Sequence, residues 1–200
     1  MEGPTPPVTA RPFFKWAGGK TQLLDAFAAR VPGELREGTL PIFVEPFMGG
    51  GAVYFLFNST FRFRECHLFD INEELVLAYS VVKNDVDALI SHLREISDDF
   101  LARDDAGQKE YYYAAREAFN RAKSDVDFSR YGEDWAGRAA QFIFLNRTCF
   151  NGLYRVNARG GFNVPFGRYR NPRILHEGLL RADAGLLRNT TVHLGDFTQA

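Results

Sequence analysis

The chain has 200 residues, 46% of them hydrophobic and 24% charged, the profile of a globular protein of one to one and a half domains and not of a disordered or fibrous one. Twenty-four basic against 25 acidic residues give a net charge of −1, a balance that taken alone speaks against a partner as acidic as DNA. The distribution reverses that inference, because residues 137–176 carry seven arginines and no acid, leaving −8 on the other 160 residues.

In chain order, residues 1–12 form a proline-rich opening without the apolar core of a signal peptide, and they read as a flexible tail. Phe13-Phe14-Lys15-Trp16-Ala17-Gly18-Gly19-Lys20 then leads to Leu23, Leu24, Phe27 and Val31 at helical spacing, with a stop at Pro32-Gly33, so a loop is expected to enter an amphipathic helix. Ile42-Phe43-Val44-Glu45 reads as a short strand running through Pro46-Phe47 into Gly49-Gly50-Gly51, with a buried helix over 52–57. A second strand is expected over 67–70, and Asn72 is placed to cap the next helix, with Glu73 and Glu74 in its first turn. Strand, glycine turn, helix and strand in that order are the building block of a parallel α/β sheet.

From residue 84 to about 148 the apolar residues keep a helical period through Val86, Leu89, Ile90 and Leu93, then Tyr112, Ala115 and Phe119, then Ala139, Phe142, Ile143 and Leu145. Three or so successive helices interrupt the α/β alternation and read as an inserted subdomain. Over 154–166 the period changes again, with Tyr154 and Val156 facing Phe162 and Val164 around Arg159-Gly160-Gly161, the pattern of a β-hairpin. A helix over 175–187 and a strand over 191–194 return to α/β character. The expected organisation is a tail over 1–12, an α/β part over 13–83, an insertion over 84–174 and a return to the α/β part over 175–200.

Cys66 and Cys149 stand in unrelated contexts, which argues against a disulfide scaffold and a cysteine zinc site, and the four histidines show no ligand spacing, so no metal is assigned. No apolar run reaches the ~18–20 residues of a membrane span, and two free thiols suit a reducing cytoplasm. Gly18-Gly19-Lys20-Thr21 invites a phosphate-binding loop, but Phe14 stands where that motif needs its first glycine and no strand precedes it. Trp16 and Lys20 can instead line a ligand site, or be a core aromatic and a solvated cation. Gly49-Gly50-Gly51 lets a ligand approach the backbone, and Asp70, 21 residues after Gly49, ends the next strand where a carboxylate accepts from ribose hydroxyls; a nucleoside ligand and a purely structural turn both fit. The acid-free segment joins arginines, amides and aromatics, which neutralise phosphates, read base edges and stack on bases, the alternative being a solvated basic hairpin.

Phe14-x-Trp16-Ala17-Gly18-Gly19-Lys20, Val44-Glu45-Pro46-Phe47-Met48-Gly49-Gly50-Gly51-Ala52-Val53, Asp70-Ile71-Asn72, Asn146-Arg147 through Asn151-Gly152-Leu153, and Phe162-Asn163-Val164-Pro165-Phe166-Gly167 resemble, in order and spacing, the Dam-type (D12 class) DNA adenine-N6 methyltransferases. The resemblance implies a Rossmann-like sheet that binds S-adenosylmethionine, incomplete in this chain, with an inserted helical target-recognition domain bearing the hairpin. It implies that Trp16 and Lys20 contact the methionine end of the cofactor, that the turn containing Glu45, Pro46, Phe47 and Gly49 approaches its backbone, that Asp70 binds the ribose, and that Asp196 and Phe197 lie beside the adenine. On the DNA side it implies that Phe150 and Asn151 act where a flipped base leaves the duplex and that Arg155 reads a guanine, with Arg147, Asn157 and Arg168 as further contacts, on a GATC-like site in double-stranded DNA. Thr148-Cys149-Phe150 departs from the family's usual tyrosine-containing pattern there.

The family's catalytic motif, Asp-Pro-Pro-Tyr, does not occur: Pro6-Pro7 is flanked by Thr5 and Val8, and Asn171-Pro172 is followed by Arg173. That motif holds the adenine amine so that its delocalised lone pair can point at a methyl donor while an aromatic stacks on the flipped base. The expectation is therefore no catalytic residue in this chain, inactivity of the chain alone, and a catalytic motif on a missing or separate polypeptide; the alternative is a non-catalytic DNA- or cofactor-binding remnant.

Overall fold

The computed structural model describes residues 8–200, so residues 1–7 of the expected tail lie outside the described residues. The rest of that tail is tied down: the Arg11 amide donates to Asp183 Oδ1 at 2.9 Å, and Ala10 packs on the core. A 3-10 turn over Lys20–Leu23 leads into α1 (Leu24–Ala29), and α2 (Gly33–Arg36) follows. The amphipathic helix expected here is thus short and divided. None of its α1 residues is fully buried, so little tertiary packing extends a segment of six residues, well below the length at which a helix holds by itself.

β1 (Ile42–Glu45), α3 (Ala52–Phe61), β2 (Glu65–Asp70) and α4 (Glu73–Asn84) form the anticipated strand, turn, helix and strand unit. Gly51 opens α3 at φ +69°, and a Cβ there would lie 2.5 Å from the Tyr79 hydroxyl, so only glycine serves this turn. Asn72 caps α4 by accepting from the Leu75 amide at 3.1 Å, with Glu73 and Glu74 in the first turn. After α5 (Val86–Leu101), α6 (Asp105–Arg121) and α7 (Trp135–Thr148), the chain returns through α8 (Glu177–Leu186) to β3 (Thr190–Leu194).

The three strands are parallel in the order β1-β2-β3, with Val44 beside His67 and Leu68 beside Val192. Cys66, Leu68 and Thr190 face the side covered by helices, where the Tyr54 hydroxyl of α3 meets Thr190 Oγ1 at 2.7 Å. Asn58 Nδ2 donates to the same hydroxyl at 3.2 Å and extends this buried link. Ile42 and Val44, on the opposite side, stay 48% and 44% exposed. The apolar core runs from Phe13 through α4, α5 and α7 to Leu187. Arg138 of α7 crosses it to Glu74 of α4, donating from Nε to Oε2 at 2.8 Å and from a second guanidinium nitrogen to Oε1.

The expected hairpin over 154–166 is reduced to an isolated antiparallel bridge between Val156 and Phe162, with a second between Cys149 and Phe166. Two backbone bonds join its arms, the Asn157 amide donating to the Gly161 carbonyl at 2.9 Å and the Asn163 amide to the Arg155 carbonyl at 3.0 Å, and α6 satisfies groups on its outer side. Asn120 of α6 accepts from the Phe162 amide and donates to the Phe162 carbonyl, and the Tyr112 hydroxyl donates to the Val164 carbonyl at 2.8 Å. Apolar alternation marked Phe162 and Val164 as inward, whereas Val156 stays 41% exposed, and α6 takes the backbone groups that point away from the opposite arm.

Candidate functional site

The carboxyl ends of the three parallel strands converge on one edge, the usual place for a ligand in an open α/β sheet. Beyond Glu45 the chain turns through half-buried Pro46 and exposed Phe47, and the Met48 amide donates to the Phe69 carbonyl at 2.9 Å, holding the turn against β2. Asp70 fastens it further: Oδ2 accepts from the Gly49 amide and Oδ1 from the Asn72 amide, each at 2.9 Å. The carboxylate thus braces the glycine turn and the start of α4 together, and it retains further lone pairs for a hydroxyl donor.

Trp16 lies on the other side of this turn. A Cβ on Gly49 or Gly50 would come within 3.2 or 3.1 Å of it, so the two glycines admit the indole that closes one wall of a cleft also lined by Lys20, Glu45 and Phe47. Glu45 Oε2 accepts from the Tyr54 amide at 3.1 Å. Burial nevertheless pushes its carboxyl up to about 7, against that bond and the nearby positive charge of Lys20. The cleft therefore holds an acid poised near neutrality and an exposed ammonium group. Along the rim, Phe47 is 69%, Ile71 74% and Phe197 53% exposed, and the rings of Phe47 and Phe197 lie 5.5 Å apart. Asp196 uses Oδ1 to accept from the Thr198 amide and so shapes the turn that carries Phe197. Ile71 received no role from the sequence; its signal was an apolar residue between Asp70 and Asn72, beyond the strand and outside the helical period that follows.

The candidate nucleic-acid residues form a second group. Phe150 is exposed, and Asn151 next to it holds φ +55°, a left-handed conformation that asparagine tolerates. Arg155 is exposed with its Nε on Asn163 Oδ1 at 2.8 Å, which fixes the direction of the guanidinium. Asn157 turns its Oδ1 onto the Arg159 and Gly161 amides and acts within the turn. Arg147 donates to the Phe13 carbonyl at 2.6 Å, so its guanidinium braces the segment ahead of Trp16. Arg168 lies exposed at φ +53° beside a hollow of about 720 Å³ that Lys109, Tyr169 and Arg170 also line. The two groups meet where Trp16 stacks on Tyr154, ring centres 5.3 Å apart and planes 19° from parallel. Among the described residues no cluster of His, Cys, Asp and Glu has the makings of a metal site, and no helix is long and apolar enough to cross a membrane.

Residues 16–200 match the family described as D12 class N6 adenine-specific DNA methyltransferase. The chain is 50% identical over 187 residues to the type II methyltransferase M.MjaIII of Methanocaldococcus jannaschii, an alignment covering 94% of this chain and 62% of that protein. It is 35% identical over 199 residues to the type II methyltransferase M1.LlaDCHI of Lactococcus lactis, covering 96% and 61%. With the DNA adenine methylase of Haemophilus influenzae it shares 39% identity over 165 residues, covering 82% of this chain and 50% of the relative. The chain thus spans between half and two thirds of the length of these relatives.

Proposed function

The chain belongs to the D12 class of N6 adenine-specific DNA methyltransferases, and on that premise we propose that its 200 residues are the cofactor- and DNA-binding portion of an enzyme that methylates adenine in a GATC-like duplex site. The observation that carries this reading is the strand-end cleft, lined by Trp16, Lys20, Glu45 and Phe47 around a glycine turn that Asp70 braces, with the exposed Phe197 ring against Phe47. S-adenosylmethionine has the matching sequence of groups, an amino acid zwitterion, a ribose and an adenine, and when bound it supplies an electrophilic methyl group on a sulfonium. Lys20 would pair with its carboxylate and Glu45 with its ammonium, Asp70 would accept from the ribose, and Phe47, Ile71 and Phe197 would cover the adenine. Gly49 and Gly50 let Trp16 close against this turn, since a Cβ at either would come within 3.2 or 3.1 Å of that side chain.

Residues 84–174 would serve as the target-recognition part, with exposed Arg155 reading a base edge, Phe150 and Asn151 filling the place of a flipped adenine, and Arg168 on the phosphates. None of these groups can hold the adenine amine toward the methyl donor as Asp-Pro-Pro-Tyr does. We assign that task to a polypeptide segment outside these 200 residues, and expect the chain alone to bind without turning over. Titration calorimetry with S-adenosylmethionine, followed by a labelled-methyl assay on GATC duplexes, tests both halves. Cofactor binding without methyl transfer, and transfer restored by adding a polypeptide that bears the motif, is the expected pair. Robust turnover by the chain alone would rule out the assignment of the missing group.

A further inference from the structure

We infer that Asn146 is a positioning residue that couples the DNA-recognition loop to the cofactor cleft, so that each ligand strengthens the binding of the other; this rests on the functional reading above. Asn146 lies near the end of α7 and is 1% exposed. Its Oδ1 accepts from the Lys15 amide at 2.9 Å, and its Nδ2 donates to the Lys15 carbonyl at 2.8 Å and to the Gly152 carbonyl at 3.0 Å. The planar amide thus pairs with Lys15 as a neighbouring strand would and spends its remaining hydrogen on the loop that follows Phe150 and Asn151. Only an amide side chain offers that acceptor and those two donors together.

The loop also touches Lys15 directly. Gly152 stands at φ +63°, and a Cβ there would come within 2.3 Å of Cδ and 2.5 Å of Cβ of Lys15. One residue further, Trp16 packs against Gly49 and Gly50 on the cofactor side and stacks on Tyr154 on the recognition side. Residues 15 and 16 are therefore shared. A cofactor in the cleft fixes Trp16, a duplex on the loop fixes Gly152 and Tyr154, and through Asn146 both fix the same short segment. Conformational freedom lost once on binding the first ligand need not be lost again on binding the second, and the resulting factor must be the same in either order.

The test uses the 200-residue chain with Trp135→Phe, which leaves Trp16 as its lone tryptophan and its emission as a reporter. S-adenosylmethionine is titrated with and without a saturating GATC duplex, and the duplex with and without the cofactor. The parent should show mutual strengthening of about fivefold or more in both directions. Asn146→Ala and Gly152→Ala should each still bind both ligands, with the factor reduced to about 1. A cooperatively melting Asn146→Ala protein that keeps the parental factor would overturn the inference, and so would a parent that binds both ligands without mutual effect. Should Asn146→Ala fail to fold, Tyr154→Leu, at a half-buried position, carries the same expectation and the same overturning result. A parent that binds neither ligand would refute the functional reading itself, and this inference with it.

Discussion

At Glu45 burial outweighs both a backbone hydrogen bond and a nearby positive charge. Its carboxyl, raised from 4.5 to about 7, binds a proton more tightly in the folded chain than in the unfolded one. Its contribution to stability is complete below about 4.5 and is lost as pH rises through 7. Glu45→Gln keeps an acceptor for the Tyr54 amide and removes the charge, so it should exceed the parent by about 1–3 kcal/mol at pH 8 and converge with it in acid, as read by chemical denaturation. Cofactor binding should move the opposite way. An ammonium partner needs the carboxylate, so S-adenosylmethionine affinity should fall as pH drops below 7 in the parent and stay flat and weak in Glu45→Gln, measurable by calorimetry. Asp183 shares the sign but not the role. It is fully buried, one oxygen accepts from the Arg11 amide, the other has no hydrogen-bond partner among the described residues, and burial pushes it up to about 8. Asp183→Asn preserves the acceptor and should raise the melting temperature above pH 8 without raising it near pH 4; a lower melting temperature at alkaline pH would show that the fold needs the anion.

One buried ion pair crosses the otherwise apolar contact between α4 and α7. Arg138 lies 5% and Glu74 2% exposed by side chain, and the guanidinium also covers the Phe119 ring at 4.1 Å. Arg138→Met would leave Glu74 buried without a partner, and a loss of about 3–5 kcal/mol in urea denaturation is expected. Adding Glu74→Leu should restore most of it, because the penalty comes from the orphaned charge and not from the absent attraction. This pair also marks what sequence could and could not reveal. Asn72 and the two glutamates after it announced the start of α4, since a cap is a local event, and Ile42-Phe43-Val44-Glu45 with its glycines announced the strand and turn that carry the candidate cleft. Arg138 counted among the basic residues of the acid-free segment, yet its partner lies 64 positions away, a distance no periodicity spans. The docking of the hairpin on α6 through Asn120 and Tyr112 was hidden for the same reason, their partners lying 42 and 52 positions away. Of the candidate site, Trp16, Glu45, Gly49 and Asp70 came from local motifs, whereas the stacking of Trp16 on Tyr154 and the bridging by Asn146 arise only once α7 is packed.

Across the whole molecule the charge is divided more sharply than the total of −1 conveys, and folding divides it further. Of the seven arginines in 137–176, Arg138 is neutralised in the core and Arg147 is turned onto the Phe13 carbonyl. Arg155, Arg159, Arg168, Arg170 and Arg173 remain exposed. Acids gather along α5, where Asp87 and Asp99 pair with Arg181 and Arg103 and Glu95 and Asp98 add further negative charge. On the proposed function, a duplex approaching this surface would meet attraction at the arginine-bearing segment, which would orient the encounter before any base is read. If the five exposed arginines each neutralise a phosphate, the slope of log affinity against log salt should approach −4 to −5, and raising salt from 50 to 200 mM should weaken binding by roughly 10²–10³-fold. Replacing Arg168 or Arg170 by alanine should make that slope shallower by about 1 while leaving preference among sequences intact, and replacing Arg155 should erode the preference. Fluorescence anisotropy with matched and mismatched duplexes over a salt series measures both. A slope near zero would mean that the net charge, and not its partition, governs the encounter.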